Sequence, residues 1–299
     1  MTRILVTGRT GQVGSALYER LATRKGILFV DRSEMNIAHP EDVHLFLRQI
    51  EPEVIINAAA YTAVDQAESD ENMARCVNRD GVLAMAEWVD SVGGLLVHYS
   101  TDYVFDGSKA GAYVEDDAAN PLSVYGRTKW EGEEVIRESG CRHLILRTSW
   151  VIARQGKNFI RTILRLGAER ETLNVVNDQY GAPTSADLIT DSTLALLDKI
   201  ELEDHRLGTY HLVASGLTDW HAFACFILQV AAEMGLPLKL KPEAVQAIPS
   251  SAYPVAAKRP HNSHLSNDKI RQEFDIQLPA WQEGAERVIR SIVAEIMQK

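Results

Sequence analysis

A tyrosine and a lysine with helical spacing are the residues best suited to acid–base chemistry in this sequence. Tyr125 and Lys129 stand four positions apart in a segment that follows the turn-prone Asn120-Pro121 and predicts a helix. Residues four apart on a helix share one face, so a phenol and an ammonium can act on one ligand. A free tyrosine has a pKa of about 10, and a neighbouring cation favours the phenolate and lowers that pKa. In a ketone reduction, the Tyr125 hydroxyl would give its proton to the carbonyl oxygen.

Thr101 offers a second hydroxyl for the same carbonyl. It follows the β-rich run Leu95–Ser100 and precedes Asp102 and Tyr103, so these side chains fall at the carboxyl end of a predicted strand. Ligands of open α/β sheets bind at this end of the strands. A Tyr-x-x-x-Lys spacing is common by chance, but its combination with Thr101 indicates an active site.

The first half of the chain alternates short apolar runs with helical segments. The predicted strands are Arg3–Thr7, Ile27–Val30, Val54–Asn57, Leu95–Ser100 and His143–Arg147. The predicted helices are Gln12–Thr23, Pro40–Ile50, Glu71–Val92 and Tyr125–Ser139. Strands that are apolar on both faces are typical of a parallel sheet covered by helices. We therefore predict an α/β fold with a doubly wound, Rossmann-type parallel sheet.

A glycine-rich turn follows the first predicted strand and opens the first helix. Gly8, Gly11 and Gly14 allow a tight turn, close approach of the backbone to phosphates, and close packing of helix on strand. The helix N-terminus adds N–H groups and a favourable dipole. The spacing is GxxGxxG, and no Lys-Ser/Thr follows it, so the pattern indicates a dinucleotide rather than a P-loop ligand.

Asp31 ends the second predicted strand, where a carboxylate can bind the hydroxyls of the adenosine ribose. Arg32 follows directly and could instead contact a 2′-phosphate. Asp31 favours NADH, whereas Arg32 leaves NADPH open. The sequence therefore predicts a nicotinamide cofactor without choosing between the two.

The second half of the chain has a looser pattern and predicts a smaller α/β region that binds the substrate. Its predicted helices are Asn158–Glu169, Ser185–Ile200, Trp220–Met234 and Trp281–Gln298, and its predicted strands are Leu173–Val176 and Thr209–Val213. We assign residues 1–149, with a return segment near 184–215, to the cofactor-binding domain. Residues 150–183 and 216–299 are assigned mainly to substrate binding.

Charge and cysteine content exclude several classes of protein. The net charge of −10 disfavours a nucleic-acid partner, because phosphate backbones require a basic face. Three scattered cysteines form no metal knuckle or disulfide framework and fit a reducing compartment. No apolar run has the length of a signal peptide or a membrane span. We expect a cytoplasmic protein without a membrane partner.

Several longer motifs are more specific than the cofactor signals. They are NAAAYTAVDQAES, HYSTDYVFDG, PLSVYGRTK, RTSW, NDQYGAPT, YHLVASG and AYPVAAKRPHNS. From Ile4 to about Trp281 the sequence resembles the dTDP-4-dehydrorhamnose reductase family of the extended short-chain dehydrogenase/reductase superfamily. The resemblance implies NAD(P)H-dependent reduction of the 4-keto group of dTDP-4-dehydro-L-rhamnose to dTDP-L-rhamnose.

The resemblance also implies roles for individual residues. It implies a catalytic set of Thr101, Tyr125 and Lys129. Tyr125 and Lys129 are also predicted to contact the cofactor, with Lys129 placed to bind the nicotinamide ribose. Around the cofactor it implies Gly11, Gln12 and Val13 at the pyrophosphate, Asp31 at the adenosine ribose, Asn36 and Ile37 near the adenine, and Ala60, Tyr61, Thr62 and Tyr99 along the rest. Around the sugar nucleotide it implies Thr101, Asp102, Tyr103 and Trp150, with Arg259 as a cation for the diphosphate.

Two departures from related enzymes sharpen this expectation. Dehydratases of this superfamily carry an acidic pair after the active-site threonine, but here Asp102 is followed by Tyr103, which favours carbonyl reduction. Some members of the reductase family form a Mg²⁺-bridged dimer through three glutamates. The positions that align with those glutamates are Ala16, Asp187 and Ser291. A single carboxylate is too few for this cation, so we predict neither a structural Mg²⁺ nor a metal-bridged dimer.

Other interpretations stay open at this stage. His261 and His264 are spaced like a ligand pair but have no acidic or cysteine partner nearby in the sequence, so we predict no metal there. The chain could be an epimerase, or a reductase of another 4-keto-6-deoxy sugar nucleotide, including one of opposite stereochemistry. It could also be a non-catalytic, cofactor-binding regulatory subunit, although the intact set of Thr101, Tyr125 and Lys129 argues against this.

Overall fold

The structure, a computed structural model, describes residues 3–200 and 205–298. Its strands are β1 Ile4–Thr7, β2 Ile27–Val30, β3 Val54–Asn57, β4 Leu95–Thr101, β5 His143–Thr148, β6 Val151–Ile152, β7 Leu173–Val176, β8 Tyr180–Gly181, β9 Thr184–Ser185, β10 Gly208–His211, β11 Thr218–Asp219 and β12 Val245–Ile248. Its α-helices are α1 Gln12–Leu21, α2 Pro40–Ile50, α3 Val64–Ala67, α4 Glu71–Arg75, α5 Gly81–Val92, α6 Val124–Ser139, α7 Phe159–Glu169, α8 Ala186–Lys199, α9 Trp220–Glu233, α10 Asp268–Phe274 and α11 Trp281–Met297.

Six strands of the described chain form one parallel sheet in the order β10-β5-β4-β3-β1-β2. The strand order reverses between β1 and β3, which is the switch point where doubly wound sheets bind ligands. In register, Thr7 of β1 lies beside Asn57 of β3, and Asn57 lies beside His98 of β4. The predicted doubly wound α/β fold is confirmed.

Helices cover both faces of this sheet, as strands without a polar face require. On one face, α2, α5 and α6 pack through buried side chains such as Leu47, Met85 and Ile136. On the other face, α1 and α8 pack through Leu17 and Ile189. The sheet is therefore buried from both sides, and only the strand ends remain available for ligands.

A second apolar core lies in the C-terminal half, where α7, α9 and α11 pack together with β7 and β12. The strand β10 returns to the main sheet beside β5. The division into a cofactor-binding and a substrate-binding region stays a prediction. Residues 1, 2, 201–204 and 299, which belong to the predicted ranges, lie outside the described residues. Within the described ranges, no helix combines the length and apolar character needed to cross a membrane.

The predicted helix Glu71–Val92 is interrupted in the structure. A π-helical turn at Cys76–Asp80 separates α4 from α5. The Asn78 side chain in this turn accepts a hydrogen bond from the Tyr61 backbone N–H at 2.8 Å and donates to Thr128 of α6 at 3.1 Å. These tertiary contacts explain the π-helical turn, which the helical periodicity of the sequence does not reveal.

Candidate active site

A cleft of about 510 Å³ follows the carboxyl ends of the first four strands. It brings together almost all residues predicted to contact the cofactor: Gly8, Gly11, Gln12, Val13, Asp31, Arg32, Asn36, Ile37, Ala60, Tyr61, Thr62, Tyr99, Tyr125 and Lys129. The sequence analysis missed other residues that line it, including Thr10, Met35, Met73, Val77, Thr148, Val151, Gly156 and Lys157. Several of these are apolar or lie in loops of the second half of the chain, where no motif indicates a ligand.

The glycine turn at one end of the cleft has no space for side chains. Gly8 has a φ of 74°, in the left-handed region. A Cβ on Gly14 would lie 1.9 Å from the Gly8 carbonyl oxygen, so Gly14 packs the helix onto the turn and does not line the cleft. The first turn of α1 has neither a side-chain cap nor an acidic residue. A backbone cradle of this kind fits a diphosphate.

Asp31, at the adenosine end of the predicted site, is held in an ion pair that the sequence analysis did not foresee. Arg9 of the glycine turn donates to the Asp31 carboxylate at 2.5 Å. Hydrogen bonds from the side chain and backbone of Ser33, together with Arg9, lower the pKa of Asp31 to about 2. Asp31 is therefore a carboxylate at any physiological pH, and Arg9 joins Arg32 as a second cation near this end.

Tyr125 begins the helix at the other end of the cleft, where the Ser123 side chain caps α6. Desolvation by burial raises the pKa of Tyr125 to about 12, and the nearby Thr101 opposes this shift only in part. The Tyr103 ring packs edge-on against Tyr125 with 5.5 Å between ring centroids. The Tyr125 phenol is thus neutral at physiological pH and can act as a proton donor.

Lys129 has a different setting from the one that its spacing suggested. Its Nζ lies 2.9 Å from His98 Nε2 and donates to the Tyr99 carbonyl oxygen at 2.7 Å. Burial lowers the pKa of Lys129 to about 7. In this arrangement Lys129 does not lower the pKa of Tyr125, contrary to the expectation from sequence, because its nitrogen is turned toward the sheet.

A buried ion pair supports the catalytic helix one turn beyond Lys129. Arg147 Nη2 donates to Glu133 at 2.7 Å, and Ser100 Oγ donates to the same carboxylate at 2.5 Å. Glu133 and Arg147 are both buried, and the Arg147 guanidinium keeps the pKa of Glu133 below its usual value despite burial. Sequence alone did not predict this pair, since each residue taken singly resembles a surface charge.

The residues predicted around the sugar nucleotide lie beside the main cleft. The Asp102 carboxyl accepts from Thr101 Oγ1 at 3.0 Å, and burial raises the pKa of Asp102 to about 6. Arg259 forms an ion pair with Asp65 at 2.6 Å, and its charge lies near enough to Tyr103 to affect the pKa of that phenol. Trp150, placed between β5 and β6, stacks on Trp220. None of these residues lines the cofactor cleft itself.

Comparison with known proteins shows to which family the chain belongs. Residues 1–294 match the family described as the RmlD substrate binding domain. The dTDP-4-dehydrorhamnose reductase of Escherichia coli (strain K12) is 44% identical over 293 residues, which are 97% of each chain. The chain belongs to the dTDP-4-dehydrorhamnose reductase family.

Solved structures of this family have the same fold as the present chain. A dTDP-4-dehydrorhamnose reductase from Clostridium acetobutylicum superimposes with a TM-score of 0.88 at 32% identity, over all of both chains. The enzyme from Bacillus anthracis, solved in complex with NADP, gives a TM-score of 0.87 at 34% identity and covers 97% of this chain and 99% of its own. The predicted resemblance to the reductase family is confirmed.

The three positions predicted to align with the metal ligands of some relatives come together in this chain. Ala16, Asp187 and Ser291 line one groove of about 430 Å³. Asp187 accepts a hydrogen bond from Arg20 at 2.8 Å, so a guanidinium already faces its carboxylate. Among the residues that the structure describes, no three His, Cys, Asp or Glu side chains form a metal-binding group, and this includes His261 and His264. The absence of a bridging Mg²⁺ stays a prediction for this member of the family.

Proposed function

We propose that the protein reduces the 4-keto group of dTDP-4-dehydro-L-rhamnose to give dTDP-L-rhamnose, with NADPH or NADH as cofactor. The observation that carries the proposal is that Tyr125 and Lys129, one helical turn apart on α6, both line the cleft that the glycine turn borders. Thr101 does not line this cleft, but it influences the pKa of Tyr125 and therefore lies close to the phenol. Family membership supports the choice of substrate and reaction.

In this proposal Tyr125 is the proton donor. When bound, the reduced nicotinamide supplies a hydride to the ketone carbon. The Tyr125 phenol holds its proton at physiological pH, because desolvation raises its pKa to about 12. Charge that develops on the ketone oxygen makes transfer of that proton favourable. Thr101 Oγ1 donates to Asp102 and accepts from the Tyr103 backbone N–H at 3.2 Å, so it can donate to the ketone oxygen only after its hydrogen turns away from Asp102.

The sugar nucleotide would lie on the side of Tyr125 that faces the second half of the chain. Arg259 provides the cation for the diphosphate, and its partial burial strengthens a charge-assisted hydrogen bond. Trp150 and Tyr103 provide aromatic surfaces beside the sugar. In this proposal the cofactor is bound by residues 1–149 with the return segment near 184–215 and by Val151, Gly156 and Lys157 at the edge of the cleft, and residues 150–183 and 216–299 mainly bind the substrate.

A turnover assay tests this proposal. Loss of NADPH and NADH absorbance is followed with dTDP-4-dehydro-L-rhamnose and with other 4-keto sugar nucleotides, and NMR of the product fixes the configuration at C4. We expect dTDP-L-rhamnose from the native enzyme. Tyr125→Phe should lower kcat by at least about 100-fold, the usual contribution of a general acid.

Tyr18→Phe provides the matched control, because Tyr18 is exposed on α1 away from Tyr125. It should turn over normally. Unchanged activity in Tyr125→Phe would remove this residue from the mechanism. A product of opposite configuration, or cofactor binding without turnover of any 4-keto sugar, would replace the proposed reaction by an alternative reductase or a regulatory subunit.

A further inference from the structure

A chain of buried hydrogen bonds connects the first strand to the catalytic lysine. Thr7 Oγ1 donates to Asn57 Oδ1 at 2.7 Å, Asn57 Nδ2 lies 3.0 Å from His98 Nδ1, and His98 Nε2 lies 2.9 Å from Lys129 Nζ. Each of the four residues is at most 1% exposed. Bulk water cannot satisfy a mismatched group here. The donor and the acceptor of each hydrogen bond are therefore set by the four side chains and the backbone around them.

The orientation of the Asn57 amide sets the first direction. The Ala59 backbone N–H lies 3.2 Å from Asn57 Oδ1, and a backbone N–H can only donate. The Thr7 hydroxyl donates to the same oxygen. The Asn57 amide nitrogen therefore faces His98, so His98 Nδ1 accepts a hydrogen bond.

The tautomer of His98 follows from this. A neutral imidazole whose Nδ1 accepts carries its hydrogen on Nε2. That N–H points at Lys129 Nζ, which already donates to the Tyr99 carbonyl oxygen. Only an amine nitrogen has a lone pair to accept from His98, whereas an ammonium would place donor against donor. The geometry around Lys129 is thus complementary to its neutral form.

The charged groups nearby do not reverse this conclusion. The titratable groups that act on the His98–Lys129 pair are Glu133 on α6, which affects Lys129, and His143 on β5, which affects His98. Tyr125 on α6, Asp102 directly after β4 and Arg147 on β5 belong to the elements packed around the pair. The Glu133 carboxylate favours a charged Lys129, but it is held by Arg147. Burial lowers the pKa of Lys129 to about 7 and that of His98 well below its usual value, so at about pH 8.5 both groups are mostly neutral in this position.

We propose that His98 is a positioning residue that holds Lys129 as a neutral amine, and that cofactor binding makes Lys129 take up a proton from solvent. Lys129 also lines the cofactor cleft. The hydroxyls of a nicotinamide ribose can accept hydrogen bonds from an ammonium group. His98 Nε2–H cannot, because it is itself a donor. A Lys129 side chain that leaves His98 for those hydroxyls therefore regains an ordinary, high pKa. The inference rests on the proposed function only in requiring a nicotinamide cofactor.

Isothermal titration calorimetry in buffers of different ionisation enthalpy measures the proton directly. No sugar substrate is present, so this result and the turnover assay can fail independently. At about pH 8.5 we expect uptake of close to one proton per NADPH, which falls toward zero at about pH 6, where Lys129 is charged before and after binding. The probe 2′,5′-ADP has the 2′-phosphate but no nicotinamide ribose, and it corrects for protons taken up by the phosphate.

Variants of three residues test whether Lys129 is the group that takes up the proton and whether His98 controls this uptake. Lys129→Met should abolish the corrected uptake. His98→Gln should also abolish it, because the Gln oxygen can accept from an ammonium and leaves Lys129 charged before binding. His211→Gln is the matched control, since His211 is an equally buried histidine of the same sheet on β10. It should keep the uptake of the native enzyme.

The opposite results would overturn the proposal. No corrected uptake at about pH 8.5 in the native enzyme, or full uptake in His98→Gln, means that His98 does not control the charge of Lys129. If His98→Gln does not fold, Asn57→Asp serves instead. A carboxylate there accepts from His98 Nδ1–H and turns Nε2 into an acceptor, so uptake should again be lost, and full uptake would refute the role of His98.

Discussion

The Trp150 indole lies face to face with the Trp220 indole, with ring centroids 3.6 Å apart and planes 10° from parallel. Trp150 has a φ of 46°, a left-handed conformation that costs a non-glycine residue of order 1 kcal/mol. Packing must therefore hold it in place. Gly181 of β8 contributes, because the Trp150 ring occupies the space of a side chain at that position. Elements far apart in sequence thus fix one aromatic surface beside the proposed sugar site.

We expect Gly181→Ala to weaken binding of the sugar nucleotide without affecting the cofactor. The new Cβ would lie 2.6 Å from the Trp150 ring, so the indole must shift from its present position. A displacement of this kind costs about 1–3 kcal/mol, which corresponds to about a 5- to 150-fold rise in KM for the sugar nucleotide. Gly111→Ala is the control, since a Cβ at Gly111 meets nothing within 4 Å. Equal KM values in the two variants would separate Trp150 from substrate binding.

Arg259 should contribute to sugar-nucleotide affinity through its charge. Arg259→Met removes a charge-assisted contact worth about 1.5–3 kcal/mol, so KM for the sugar nucleotide should rise by about 10-fold or more. The Kd for NADPH should stay constant. Arg259→Lys should lose less, and Arg287→Met, which removes an exposed arginine on α11, should lose nothing. A Kd for NADPH that changes together with KM would assign Arg259 to the folding of this region instead.

Asp31 and Arg9 should set the choice between NADH and NADPH. Asp31→Asn removes the carboxylate that we expect to accept from the ribose 2′-hydroxyl, and it releases Arg9 from its ion pair so that Arg9 could contact a 2′-phosphate. We expect the ratio of kcat/KM for NADPH to that for NADH to rise by about 10-fold. Arg9→Met should lower the same ratio. If both variants move the ratio in one direction, the ion pair acts only by shaping the turn.

His211 should make the fold sensitive to acid. Burial lowers its pKa in the folded protein to about 3, whereas an unfolded histidine has a pKa of about 6.5. The unfolded chain binds more protons between these values, so stability is full above about pH 6.5 and is lost as pH falls toward about 3. At about pH 5 the loss from this group is about 2 kcal/mol. Urea unfolding at about pH 7 and pH 5 should show a smaller loss for His211→Gln, and equal losses would contradict the assignment.

Removal of divalent metal should leave the protein unchanged. The Asp187 carboxylate is bonded to Arg20, and the neighbouring positions Ala16 and Ser291 offer no carboxylate. We therefore expect the same thermal midpoint and the same molecular mass in solution with EDTA and with Mg²⁺. A midpoint that rises with Mg²⁺ and no longer does so in Asp187→Asn would show that a metal binds here after all.

Much of the fold can be predicted from sequence because its elements are locally encoded. The strands β2, β3 and β7 and the helix α2 begin and end at the predicted residues. Their apolar runs and helical periodicity agree with the final packing, and Pro40 marks the start of α2. Other helix ends differ by one or two residues. The interrupted helix at Cys76–Asp80 could not be predicted, since its cause lies in contacts of Asn78 with distant residues.

The candidate site, like the fold, could be predicted from sequence only where the signal is local. Motifs identify Tyr125, Lys129 and the glycine turn because their spacing is itself the signal. His98 gives no such signal, because a histidine within an apolar strand resembles any buried residue until its neighbours are known. Arg9 lies at an x position of the GxxGxxG motif, which specifies no residue type there. Partners across a sheet are brought together by strand order, and strand order is a property of the whole chain.

Asn78 links the two ends of the site. Its amide exchanges hydrogen bonds with the backbone N–H and carbonyl of Tyr61, in the loop that lines the cofactor cleft, and donates to Thr128 on the catalytic helix. One side chain thus sets the distance between the loop and the helix. A change in that distance would misalign the cofactor and the substrate while both still bind. Such an enzyme would have a lower kcat with unchanged affinities and an intact fold.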